Sequence, residues 1–177
     1  DDYDDYISYL ENWKKQTGEK KPLLVVVNTS GGGSRSASWV FQVLRMCDSI
    51  TGFKSSRHIA MMTGASGGTV GASYYRSLLL ENYQTNKVNF HDKKYFEEIS
   101  QDLLNKLSFA ASTNDLFFRY QSSFEDSEYS YDRAMAFESD LNENTGQRLN
   151  KPMRYYRVFE KKGVIPNLIL TPSVVND

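Results

Sequence analysis

Ile59-Ala60-Met61-Met62, followed by Gly64-Ala65-Ser66-Gly67-Gly68, is a short apolar run closed by a glycine turn, and a helical pattern opens directly behind it. The same plan stands upstream, where Leu23-Leu24-Val25-Val26-Val27 leads into Ser30-Gly31-Gly32-Gly33-Ser34-Arg35. Apolar runs of this length bounded by glycine read as strands buried on both faces of a parallel sheet. The second turn has the form G-x-S-x-G, whose glycines allow a sharp strand-to-helix turn that lifts the serine hydroxyl above the sheet. Ser66 is therefore the candidate nucleophile, with Gly64, Ala65, Gly67 and Gly68 as its elbow. Gly31, Gly32 and Gly33 lack Cβ atoms, so a ligand can approach successive backbone N–H groups, which suits them to a developing oxyanion. Parallel strands deliver their exit loops to one edge, so the two turns are expected to be halves of one site.

The rest of the chain supports a domain around that pair. Its 177 residues, 40% hydrophobic, suffice for one domain, 1–177, with a sizeable core. A formal net charge of −1 gives no electrostatic reason to expect nucleic acid. No stretch approaches the roughly 18 to 20 apolar residues that span a bilayer. Cys47 is the only cysteine, which excludes an internal disulfide and a metal site built on paired thiolates; its apolar helical surroundings predict burial. Asp1-Asp2-Tyr3-Asp4-Asp5 is not an initiator start, so the chain is expected to be a piece of a longer polypeptide.

Ile7, Leu10 and Trp13 predict a packing helix over 6–16, and Ala37, Val40, Phe41, Leu44 and Cys47 a helix ending near Gly52. A helix through Val70, Tyr74 and Leu78 follows Ser66, and a right-handed crossover makes the two strands parallel. Phe96, Ile99, Leu103 and Leu107 predict one further helix covering a sheet face, with Asp92 as its cap and Glu97-Glu98 near its positive end. The stretch from Phe109 to Phe159 is aromatic and irregular, including Phe117, Phe118, Tyr120, Phe124, Tyr129, Phe137, Tyr155 and Tyr156, with a helix from near Tyr131 to Gly146. Leu168-Ile169-Leu170 after Pro166 reads as another buried strand. Arg148, Lys151, Arg154, Arg157, Lys161 and Lys162 form a locally basic stretch, open to either anionic head groups or plain solvation.

Competing chemistries fit less well. A phosphate-cradling Walker loop needs Lys and then Ser or Thr after its last glycine, whereas Ser34 and Arg35 follow Gly33. A dinucleotide fingerprint needs Gly or Ala where Ser36 stands and an acid at the end of the next strand, where Met62 and Thr63 stand. His58 sits at the far end of the Ser66 strand, roughly 25 Å away at about 3.3 Å per residue. His91 lies in the polar Asn89–Asp92 loop, where solvation or capping is the commoner role. A Ser-His-Asp triad is poorly supplied, and a serine served by a carboxylate is the alternative.

With a G-G-G-x-R loop and a G-x-S-x-G elbow on consecutive strands, residues 22 to 80 resemble the patatin-like and cytosolic phospholipase superfamily. The resemblance implies a three-layer α/β/α fold with a mostly parallel central sheet. It implies hydrolysis of lipid or phospholipid esters through an acyl-serine intermediate formed by a Ser-Asp dyad, without cofactor or metal. It places the amides of Gly32, Gly33 and Ser34 at the oxyanion and Arg35 near substrate phosphate or bracing the loop. Two departures stand out: Ser36 occupies a position where patatins often carry glycine, and the chain has no Asp-Gly dipeptide. The catalytic aspartate is accordingly expected beyond Asp177, with Asp177 itself a weaker candidate. The aromatic middle region reads as ordinary packing or as a lid that meets a membrane surface. The rival to a hydrolase is a catalytically inactive relative that binds lipid or a protein partner.

Overall fold

In the computed structural model, residues 2–113, 116–117, 121–124 and 127–171 are described, 122–124 and 127–130 by their backbone course alone. Phe118, Tyr120 and Asp177, singled out above, lie outside the described residues. Two strand-turn-helix units form the centre. The first is β1 (Val25–Thr29) leading into α2 (Gly33–Thr51), after an N-terminal helix α1 (Asp2–Thr17). A short helix, α3 (Ser55–His58), introduces the second unit, β2 (Ile59–Gly64) and α4 (Ser66–Thr85). Then come α5 (Lys93–Ile99), α6 (Leu104–Thr113), an antiparallel hairpin of β3 (Gln121–Phe124) and β4 (Ser127–Ser130), α7 (Arg133–Asn144), α8 (Met153–Lys161) and β5 (Asn167–Ile169). The architecture is mixed α/β with a small parallel sheet in the order β1-β2-β5.

Sheet register explains which strand residues are covered. Val25 pairs with Ile59 but Val26 with Met61, so β2 carries an extra residue, Ala60, at a bulge. Val25, Val27, Ile59, Met62 and Leu168 join the main core with Ala37, Phe41 and Leu44 of α2 and Ala72, Tyr74, Tyr75 and Leu78 of α4. Ala60 joins a separate cluster with Tyr9 and Trp13 of α1. The Tyr9 hydroxyl donates to the Ala60 carbonyl and accepts from the Asn167 amide, tying α1 to two strands.

Several expectations need correction. β1 begins at Val25, not Leu23, and is not buried on both faces: it is an edge strand among the described residues, and Val26 is 51% exposed. β5 likewise buries Leu168 but exposes Ile169. Cys47 is exposed, because α2 buries the stripe of Ala37, Phe41, Leu44 and Asp48 and Cys47 lies off it. The single helix expected from Phe96 to Leu107 is two, α5 and α6, since Asp102 starts a new one by accepting the Leu104 amide. Asp92 does cap α5, but Glu97 and Glu98 fall at its carboxyl end, and α5 packs on α2. Within the stretch expected to be irregular lie the hairpin and α8, a strongly amphipathic helix that buries Tyr156. Arg148 of the basic stretch bonds Glu81 and Glu98, and Lys161 pairs with Asp5, so both are used within the chain.

Candidate active site

β1 and β2 are adjacent and parallel, with Thr29 opposite Gly64, so both glycine turns leave the sheet at the same edge. At the second turn Ala65 is extended and Ser66 has φ +49°. A left-handed conformation is uncommon for serine and costs on the order of 1–3 kcal/mol, a strain the surrounding contacts must hold. Its effect is the sharp reversal from β2 into α4 that exposes the Ser66 side chain. Gly31 supplies the link to the other turn: a Cβ there would lie 3.4 Å from Ser66 Cβ.

The remaining elbow glycines are fixed by close backbone approach. A Cβ on Gly64 would overlap the Thr29 side chain, on Gly67 the Gly33 carbonyl, and on Gly68 the Ser30 carbonyl. The triple-glycine loop therefore sits against the elbow backbone, and any side chain at 64, 67 or 68 would push the two turns apart. Within the loop Gly32 and Gly33 have φ +149° and +61°, values that favour glycine. Ser36, the departure noted above, has a role here: its hydroxyl donates to the Ser30 carbonyl at 2.6 Å and ties the loop to the first turn of α2.

Both helices thus begin at the same place. Gly33 opens α2 and Ser66 opens α4. The first-turn amides of a helix have no intrahelical partners, and the helix dipole makes that end positive, so two amino termini converge on one point. They face a cleft of about 270 Å³. Gly33, Ser34 and Ser66 form its polar end, and Ala37, Val70, Leu103, Leu107 and Phe137 are among its apolar walls. These apolar residues carried only a packing signal in the sequence, since periodicity marks a helix face as apolar without saying whether it meets a core or a cavity. None of the described residues lining the cleft is a histidine or a carboxylate. His58 donates its Nδ1–H to the Leu23 carbonyl and faces Glu19, at the opposite end of β2, while His91 packs edge-on against Phe53. Arg35 makes no hydrogen bond or ion pair with the described residues and lines a neighbouring groove that shares Ser34 with the cleft.

The chain was compared with protein-family models, curated proteins and solved structures, and none of the three comparisons gave a match.

Proposed function

We propose that this chain carries the nucleophile and oxyanion half of a patatin-like serine lipid acyl hydrolase, with the small parallel sheet as part of a three-layer α/β/α fold. The observation that carries the reading is Ser66 held at φ +49° at the mouth of an apolar cleft, with Gly31 against its side chain. In the mechanism that the family resemblance implies, Ser66 Oγ attacks the ester carbonyl carbon while its proton passes to an aspartate. The carbonyl oxygen becomes an oxyanion facing the amides of the glycine loop, of which Gly33 and Ser34 stand on the cleft wall. Collapse expels the alcohol, which takes up the proton, and leaves an acyl-serine; water attacks that ester and restores Ser66 with release of the acid. The apolar walls suit an acyl chain. The resemblance expects the aspartate after β5, beyond Asp177 or at Asp177 itself, and β5, parallel to β2, exits at the Ser66 edge.

A second reading, an inactive relative that binds lipid or a protein partner, is favoured by the absence of a proton acceptor among the described residues of the cleft wall. A fluorophosphonate probe separates the two by intact mass. One adduct on the wild-type protein that disappears in Ser66→Ala supports the hydrolase. An unlabelled wild-type protein, beside a control hydrolase that labels, favours the binding module.

A further inference from the structure

α2 is apolar on two opposite faces. Ala37, Phe41 and Leu44 enter the core, while Trp39, Val43, Met46 and Ile50 recur at four, three and four residues along the outer side and are all exposed, Trp39 at 70% and Ile50 at 78%. At about 1.5 Å per residue this stripe is roughly 16 Å long. A contiguous exposed apolar stripe marks an interaction surface, and here the outer stripe is not covered by any described residue.

The charges around it are one-sided. The only acid of α2, Asp48, is buried and engaged by Ser55, Ser56 and Tyr75, so the exposed face of the helix carries no carboxylate. Arg35 stands one turn before Trp39 on the same side. Arg35, Arg45 and Lys93 line a groove of about 710 Å³ between α2 and α5, with Trp39 in its wall and Glu97 as the one carboxylate among its described lining. Exposed Lys54 and Arg57 follow the carboxyl end of the helix. An apolar stripe with a tryptophan, bordered by cations, is the pattern of a helix lying in a lipid interface.

We propose that the outer face of α2 docks on an anionic lipid surface. The proposal rests on the lipid hydrolase reading, because the docking helix is the one whose first turn forms the oxyanion wall. Ser34 belongs to both the groove and the cleft, so the docking face borders the cleft at the first turn of α2. Leu104, 62% exposed in the cleft wall, adds to the apolar surface there.

The test uses the Ser66→Ala protein, so that binding is read apart from turnover, with vesicles of phosphatidylcholine alone or mixed with phosphatidylglycerol. Of the two tryptophans Trp13 is buried, so a blue shift of emission on vesicle addition that is absent in Trp39→Phe reports Trp39 entering lipid. The expected result is association with the mixed vesicles, weakened by salt and reduced about tenfold or more in Met46→Glu with Ile50→Glu. Circular dichroism checks the fold of that pair, and Met46→Ser with Ile50→Ser serves as the milder variant. No association, or association unchanged in both pairs, overturns the proposal. So does a dimer in light scattering that the Glu pair dissolves, since a second copy would then cover the stripe. Fluorophosphonate labelling of the wild-type protein without vesicle binding sinks the docking surface alone; vesicle binding without labelling sinks the hydrolase alone.

Discussion

α2 and α4 start from equivalent places, each at a glycine turn after a parallel strand, yet they meet their surroundings in opposite ways. α4 is enclosed along most of its length, burying Tyr74, Tyr75, Leu78 and Leu80 together with the charged Arg76. α2 buries one stripe and leaves another apolar stripe outside. The enclosure of α4 explains how a strained serine can be held at its first residue: the helix behind it cannot shift without disturbing the core. The openness of α2 puts the other half of the site on a helix with a free face.

Substitutions can break this contrast at its firmest point first. Arg76 donates to the Pro166 carbonyl, pairs with Glu160 and lies over the Tyr156 ring, fastening α4 to α8 and the approach to β5. Arg76→Leu strands Glu160, which also accepts the Leu168 amide, and is expected to cost about 3–5 kcal/mol. Thermal unfolding reads this as a midpoint about 10 °C lower, at about 2–4 °C per kcal/mol for a chain of this size. A midpoint within a degree or two of wild type would mean that α4 is not anchored by this pair.

The crossing of the two helices is the next test. A Cβ on Gly71 would overlap the Ala37 carbonyl, so Gly71→Ala is expected to force α2 and α4 apart at a cost of about 1–3 kcal/mol. Because Gly33 and Ser66 move with those helices, fluorophosphonate labelling of the folded variant should also slow.

Titration sharpens the comparison further. Burial, together with the facing Asp48 carboxylate, pushes the Tyr75 hydroxyl of α4 above its ordinary range, and burial pushes Tyr9 up to about 12. The unfolded chain releases these protons near pH 10 while the folded chain keeps them, so the stability these two hydroxyls contribute is fully present below about pH 10 and falls as pH rises toward 12. Unfolding midpoints measured from pH 8 upward should show that decline, with a shallower slope in Tyr9→Phe. The smallest effect belongs to α2: Met46→Ser or Ile50→Ser in the absence of lipid should move stability within about 0.5 kcal/mol, as surface changes do.

Much of the candidate site is legible in the sequence, because its signals are local. The order strand, glycine, helix follows from runs such as Ile59–Met62 and from residues that lack Cβ atoms. Where the reading missed, the cause was a competing local rule or a missing neighbour. The division between α5 and α6 had a signal in Asp102, a capping residue overridden by the apolar spacing from Phe96 to Leu107. α8 was hidden by aromatic residues that read as irregular, although Pro152 before it and Gly163 after it mark its ends. The exposure of Val26 and Ile169 had no local signal, since a strand's sequence does not say whether it lies at an edge.

The sequence by itself determined the two turns and the identity of the exposed serine, because backbone freedom and turn geometry depend on a few neighbouring residues. Only the tertiary structure decided that Gly31 lies beside Ser66, that Gly67 must be bare to pass the Gly33 carbonyl, and that Leu103, Leu107 and Phe137 wall a cleft. It also decided which face of α2 stays open. Those outcomes depend on how two helices cross and what packs behind them, and residues far apart in the chain meet there through the parallel register of β1 and β2.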